Sequence, residues 1–205
     1  MAQSLDRLKE SASQTAGPYV HIGLTPNFCG ITGVYDHDLG ASMINDKTRG
    51  EQIRIRARVF DGTETLLKDA VIEIWQADAD GLYNSPSEIR GSADPNFAGW
   101  GRAATDMETG ECVFETIKPG RVPFRDGRGQ APHITFWIVA RGINIGLHTR
   151  MYFSDEEKAN GEDPVLARIE HRVRVPTLIA ERQSDGTYIF DIHLQGEKET
   201  VFFDM

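Results

Sequence analysis

The chain has 205 residues, unremarkable hydrophobic and charged fractions of 40% and 26%, and a net charge of -9 at pH 7. That charge argues against a nucleic-acid partner, and no apolar run approaches the ~18 residues that cross a membrane. The first ten residues lack the apolar centre of a signal peptide, and Cys29 and Cys112 make neither a disulfide framework nor a zinc signature. A reducing, cytoplasmic setting is therefore expected.

In chain order, Leu5–Lys9 could form one helical turn, stopped by the stretch that ends at Gly17-Pro18. Residues 15–46 read mostly as loop, so residues 1–50 are expected to be a long N-terminal arm, functional or packed on a neighbour. Strands follow. Ile53, Ile55, Ala57 and Val59 alternate with Arg54, Arg56 and Arg58, a half-buried strand closed by the turn at Phe60-Asp61-Gly62. Ala70–Gln76 is apolar on both faces except Glu73, as a central strand is, and the chain resumes at Leu82-Tyr83 after a turn. Residues 84–98 form an excursion loop, and 101–105 and 111–117 are short strands. A polar loop over 121–130 leads to a strand running from Ala131 toward Asn144. Another strand covers 147–153. Ser154-Asp-Glu-Glu157 has the pattern of a capping box and Asp163-Pro164 can start a second helix. Arg182–Gly186 is a hairpin turn into a strand over 187–194. Many short strands separated by turns predict a mainly β protein, a single β-sandwich domain over 51–205 with the arm and a few short helices attached.

The strand after Ala131 carries the chemistry that the sequence offers. Ile134, Phe136, Ile138 and Ala140 share an apolar face, and His133, Thr135, Trp137, Val139 and Arg141 share a mixed one. A metal site on a strand wants ligands at i and i+2, but the partner of His133 is Thr135, a poor ligand. An ordinary hydrogen-bonding histidine is the simpler reading. Arg141, in an apolar run before a glycine, is either a rim or ion-paired arginine or a bidentate clamp for a carboxylate. Gly17-Pro18-Tyr19 is either a turn with a packed tyrosine or the rigid rim of a pocket. A nucleophile elbow and a glycine-rich phosphate loop are both missing from the sequence.

Several longer stretches carry a resemblance. Ser13–Gly23, Val71–Tyr83, Thr116–Gly120, Ala131–Ile134, Ala140–Ile145, Leu147–Arg150 and Glu199–Phe203 resemble the intradiol ring-cleavage dioxygenases, from about residue 13 to the C-terminus. The resemblance implies a non-haem ferric centre with two tyrosine and two histidine ligands. Matched residue by residue, those positions are Tyr83, Val122, His133 and Thr135 in this chain. Valine has no donor atom, and ferric iron prefers charged oxygen ligands. The chain is therefore expected to hold no iron alone. The same resemblance implies a homologous beta chain that carries Fe(III), together forming a large hetero-oligomer. Thr15, Gly17, Pro18, Tyr19 and Arg141 would line a pocket at the partner's iron, with Pro18 and Tyr19 as a wall. The implied reaction opens protocatechuate with O₂ between its hydroxyl-bearing carbons, in the aromatic catabolism of the beta-ketoadipate pathway. Along an extended strand Arg141 would lie roughly 26 Å from His133, too far to serve a metal there. Two alternatives stand beside this: a self-sufficient dioxygenase recruiting His148 or His193, and a non-catalytic β-sandwich binding module.

Overall fold

Strand β1 (Gln52–Phe60) shows how the sequence builds the fold. Ile53, Ile55, Ala57 and Val59 point into the core, and Arg54, Arg56 and Arg58 point out to Glu115, Glu111 and Asp191 on neighbouring strands. A period of two sorts both faces at once, since long cations cannot enter a core without partners. The structure is a computed structural model that describes residues 15–144 and 146–204. The helical turn expected at Leu5–Lys9 lies outside the described residues, as does the side chain of Pro18.

After a short helix α1 (Pro18–Leu24) and β1 come β2 (Val71–Trp75), β3 (Trp100–Ala104), β4 (Glu111–Ile117), β5 (His133–Val139) and β6 (Leu147–Phe153). Helix α2 (Glu157–Glu162), two 3-10 segments (Leu166–Arg168 and Arg172–Leu178), β7 (Ile179–Arg182) and β8 (Tyr188–His193) complete the chain. The strands hydrogen-bond in the order β3-β2-β5-β6-β7-β8-β1-β4. Four strands make each layer, and among the described strands the short parallel pairing of β6 with β7 links one layer to the other. The core lies between them, where Phe136 of β5 meets Phe114 and Phe190 edge-on. This is the mainly β, sandwich-like architecture expected from the sequence.

Several local readings are corrected. Residues 82–83 form no strand, because the chain winds about Asp78, whose carboxylate accepts from Asp80, Leu82 and Asp94 backbone N–H groups. The strand after Ala131 ends at Val139, and Arg141 lies in a turn closed by the Ile143 N–H on the Ala140 carbonyl. Arg141 therefore does not share a strand face with His133. Ser154 caps no helix; its hydroxyl accepts the Arg182 N–H, and α2 begins at Glu157, two residues later than a cap at Ser154 would start it. Asp163 does cap, accepting from Val165 and Leu166, but the turn it starts is 3-10. Helix α1, the longer 3-10 segment and the four-residue β7 fall where the sequence offered no periodic signal.

Candidate functional site

Thr15 of the arm lies against the end of β5. The Thr15 hydroxyl accepts the Gly142 N–H at 2.8 Å and donates to the Ala140 carbonyl at 3.4 Å, so it grips the turn on both sides of Arg141. The Arg141 guanidinium meets Asp69 at 3.2 Å and is 70% exposed. Gly17 and Arg141 line one cleft of about 740 Å³, with His21, Ile22, Phe28 and Asp69 around them. Residues more than a hundred positions apart in sequence are thus brought to one place. Tyr19 stands outside this cleft, 83% exposed.

Two polar atoms at this cleft are buried without hydrogen-bond partners among the described residues, Nε2 of His21 and Oδ1 of Asp69. A buried, unsatisfied polar atom costs on the order of 1–3 kcal/mol. The cleft thus presents the exposed Arg141 guanidinium, with a carboxylate oxygen and an imidazole nitrogen buried beside it. Neither His21 nor Asp69 was singled out from the sequence. Asp69 precedes a strand, as many loop residues do, and only the fold shows what it faces.

The four degenerate positions also converge. His133 and Thr135 sit on one face of β5, opposite Tyr152 and Arg150 of β6. Trp75 flanks Thr135 from β2, and the Tyr83 ring stacks on it at 6.1 Å. Val122 is joined to the group through Gln130, whose N–H binds the Val122 carbonyl and whose amide oxygen accepts from Arg150 at 2.8 Å. The loop carrying Val122 is pressed onto the 78–82 turn so closely that a Cβ on Gly81 would collide with the Arg121 carbonyl oxygen; its φ of +79° also favours glycine.

This group does not fit iron. Val122 contributes an apolar side chain, 4% exposed. His133 is 6% exposed, and its Nδ1 lies 2.8 Å from the Ala131 carbonyl oxygen. Burial, then the Arg150 charge, depresses its pKa to about 4, so the ring is neutral. Burial raises the Tyr83 pKa, with Arg150 opposing. The cation that acts on both Tyr83 and His133 is thus a guanidinium, and a ferric ion would add repulsion to an incomplete donor set. His148 pairs with Trp137, four residues along β5 from His133, so about 13 Å away along the strand. His193 stacks on Phe60 at 4.7 Å, on the β1–β8 side. Neither can join His133 on one metal.

The dioxygenase family matches residues 24–196. The protocatechuate 3,4-dioxygenase alpha chain of Pseudomonas putida is 45% identical over 203 residues, 98% of each chain. The protocatechuate 3,4-dioxygenase beta chain of Burkholderia cepacia is 33% identical over 179 residues, covering 82% of this chain and 75% of that one. Among solved structures, the intradiol ring-cleavage dioxygenase from Tetranychus urticae superposes with a TM-score of 0.55 at 20% identity, over 78% of this chain and 89% of that one; this likeness speaks to the fold.

Proposed function

Because this chain belongs to the dioxygenase family, we propose that it is the alpha subunit of a protocatechuate 3,4-dioxygenase, working with a homologous beta chain. The enzyme opens the ring of 3,4-dihydroxybenzoate between its hydroxyl-bearing carbons, inserting both atoms of O₂ to give 3-carboxy-cis,cis-muconate. Iron on the beta chain supplies the activation of the diol toward O₂. This chain binds and orients: Arg141 offers a guanidinium to the substrate carboxylate, and Thr15 fixes the turn that presents it. Gly17, Pro18 and Tyr19 form the neighbouring wall on the partner's side. The arm, residues 1–50, packs on the beta chain, and the complex is cytoplasmic.

One observation carries the reading. The residues at the degenerate metal positions lie about a guanidinium and a neutral, buried histidine, while Gly17 and Arg141 line an open cleft and Thr15 holds the turn that carries Arg141. A chain whose own centre is dismantled, yet whose rim is built, completes another chain's site. The test is steady-state kinetics of the complex carrying Arg141→Ala. A raised KM for protocatechuate, with less change for catechol, which has no carboxylate, supports the role; unchanged constants for both exclude it.

A further inference from the structure

A second cleft, apart from the one at Arg141, lies on the outer face of β6 beside the degenerate metal positions, with which it shares Gln130 and Arg150. It holds about 900 Å³ and is floored by Gln130 and Arg150, with the 121–130 loop, the 3-10 region and the C-terminal segment as its walls. In a chain of net charge -9, four arginines line it: Arg125, Arg150, Arg168 and Arg174. Two carboxylates, Glu170 and Asp204, share it, and His171 stands at its edge.

The pairing of these arginines sets the cleft apart. Arg174 is neutralised by Glu199 at 2.8 Å. Among the described residues, four arginines make no ion pair: Arg125, Arg150, Arg168 and Arg172. Three of those four line this cleft. Two of them also lie against aromatic rings, Arg168 at 4.6 Å from the Phe124 centroid and Arg150 at 5.8 Å from that of Phe203. Arg150 is further held by Gln130, so its fork is set in place rather than free in water. Guanidinium groups beside ring faces suit a flat, conjugated body with a carboxylate: the body lies on the rings and the carboxylate takes the fork.

We propose that this cleft binds a planar, unsaturated carboxylate. Glu170 and Asp204 keep its net charge small, which disfavours a bare inorganic anion and leaves the apolar stacking to select the ligand. Two molecules of this chemistry are at hand if the chain has the function proposed above, the aromatic acid that is consumed and the ring-opened acid that is made. Only the choice between them rests on that function; the site itself does not.

The experiment is equilibrium dialysis of the full chain, co-purified with its partner, against 4-hydroxybenzoate, cis,cis-muconate, acetate and sulfate in turn. Arg150→Gln/Arg168→Gln and Arg141→Ala complexes are run alongside, with size-exclusion chromatography to show intact assembly. The expected result is one equivalent of 4-hydroxybenzoate or cis,cis-muconate per copy of this chain that is retained in Arg141→Ala. That equivalent should weaken at least tenfold in Arg150→Gln/Arg168→Gln. Preference for 4-hydroxybenzoate marks the substrate as the natural ligand, and preference for cis,cis-muconate the product. Equal binding of acetate or sulfate, or no loss in an intact Arg150→Gln/Arg168→Gln complex, overturns the proposal. Should the site bind as described while the complex fails to turn over protocatechuate, the functional reading alone is at fault.

Discussion

At Arg141 the Asp69 carboxylate is close, yet the side chain is mostly in solvent, and an exposed pair of this kind contributes at most ~1 kcal/mol. Such a partner can be exchanged for a substrate carboxylate once a second chain shuts out water. Losing a charged hydrogen bond in a closed site costs about 1.5–3 kcal/mol, so Arg141→Ala should lower kcat/KM for protocatechuate roughly 10- to 150-fold. Arg141→Lys should recover only part, because a point charge cannot reproduce the two-pronged contact. Folding stability of the chain, read by urea denaturation, should change by less than about 1 kcal/mol in either variant. His133 gives a prediction of opposite kind. Its pKa falls from 6.5 to about 4 on folding. Between those values the unfolded chain holds the extra proton, so stability is full above pH 6.5 and is lost as the pH drops toward 4. The loss is on the order of 3 kcal/mol. His133→Gln should lack this component, so the wild-type and variant stability curves should converge or cross on acidification; parallel curves would contradict the buried, neutral ring. At this scale the sequence was informative where a residue type did not suit its place: Thr135 is a poor ligand beside His133, the family resemblance sets Val122 at a ligand position, and Arg141 stands out before a glycine. It was silent on Arg150 and Asp69, because an arginine on a mixed strand face and an aspartate in a loop are ordinary until their neighbours are known.

Among the elements, β5 joins core and chemistry. Its inner residues Ile134, Phe136 and Ile138 are fully buried, while His133, Thr135 and Trp137 face the other way. Phe136 touches aromatic partners from both β4 and β8, so Phe136→Ala should cost about 3–5 kcal/mol, measured by the urea midpoint, with little collapse of the surrounding sandwich to relieve it. Strands β1, β4, β5 and β8 were legible because alternation over six to nine residues leaves one register that buries the apolar set. Strand β7 was not, because four residues with two exposed give too little alternation to read. Ser154 misled for a related reason. A capping box is a local preference, and the Arg182 N–H from a neighbouring strand competes for the same hydroxyl. Arg141 was placed on the strand for want of a stop signal before Gly142, and only the turn at Ala140 shows that it swings toward the arm.

For the whole molecule the question is where the metal chemistry resides. The fold links the four degenerate positions, His133 and Thr135 on β5, Tyr83 through Trp75 and Val122 through Gln130, so the misfit to iron lies in donor atoms and charge. It follows that Val122→Tyr with Thr135→His should remain a poor iron binder while Arg150 stays, and should gain iron only when Arg150→Gln is added. Iron content after anaerobic loading and desalting checks this, and full occupancy of the double variant would show that the guanidinium is no obstacle. The central claim, that this chain completes a site whose iron belongs to its partner, is tested most directly by purifying the chain with and without the beta subunit. Iron content and protocatechuate-dependent O₂ uptake are then measured on each. The account predicts no stoichiometric iron and no uptake for the chain alone, with both present in the complex. One iron per isolated chain, with ring cleavage in the absence of any partner, would contradict it.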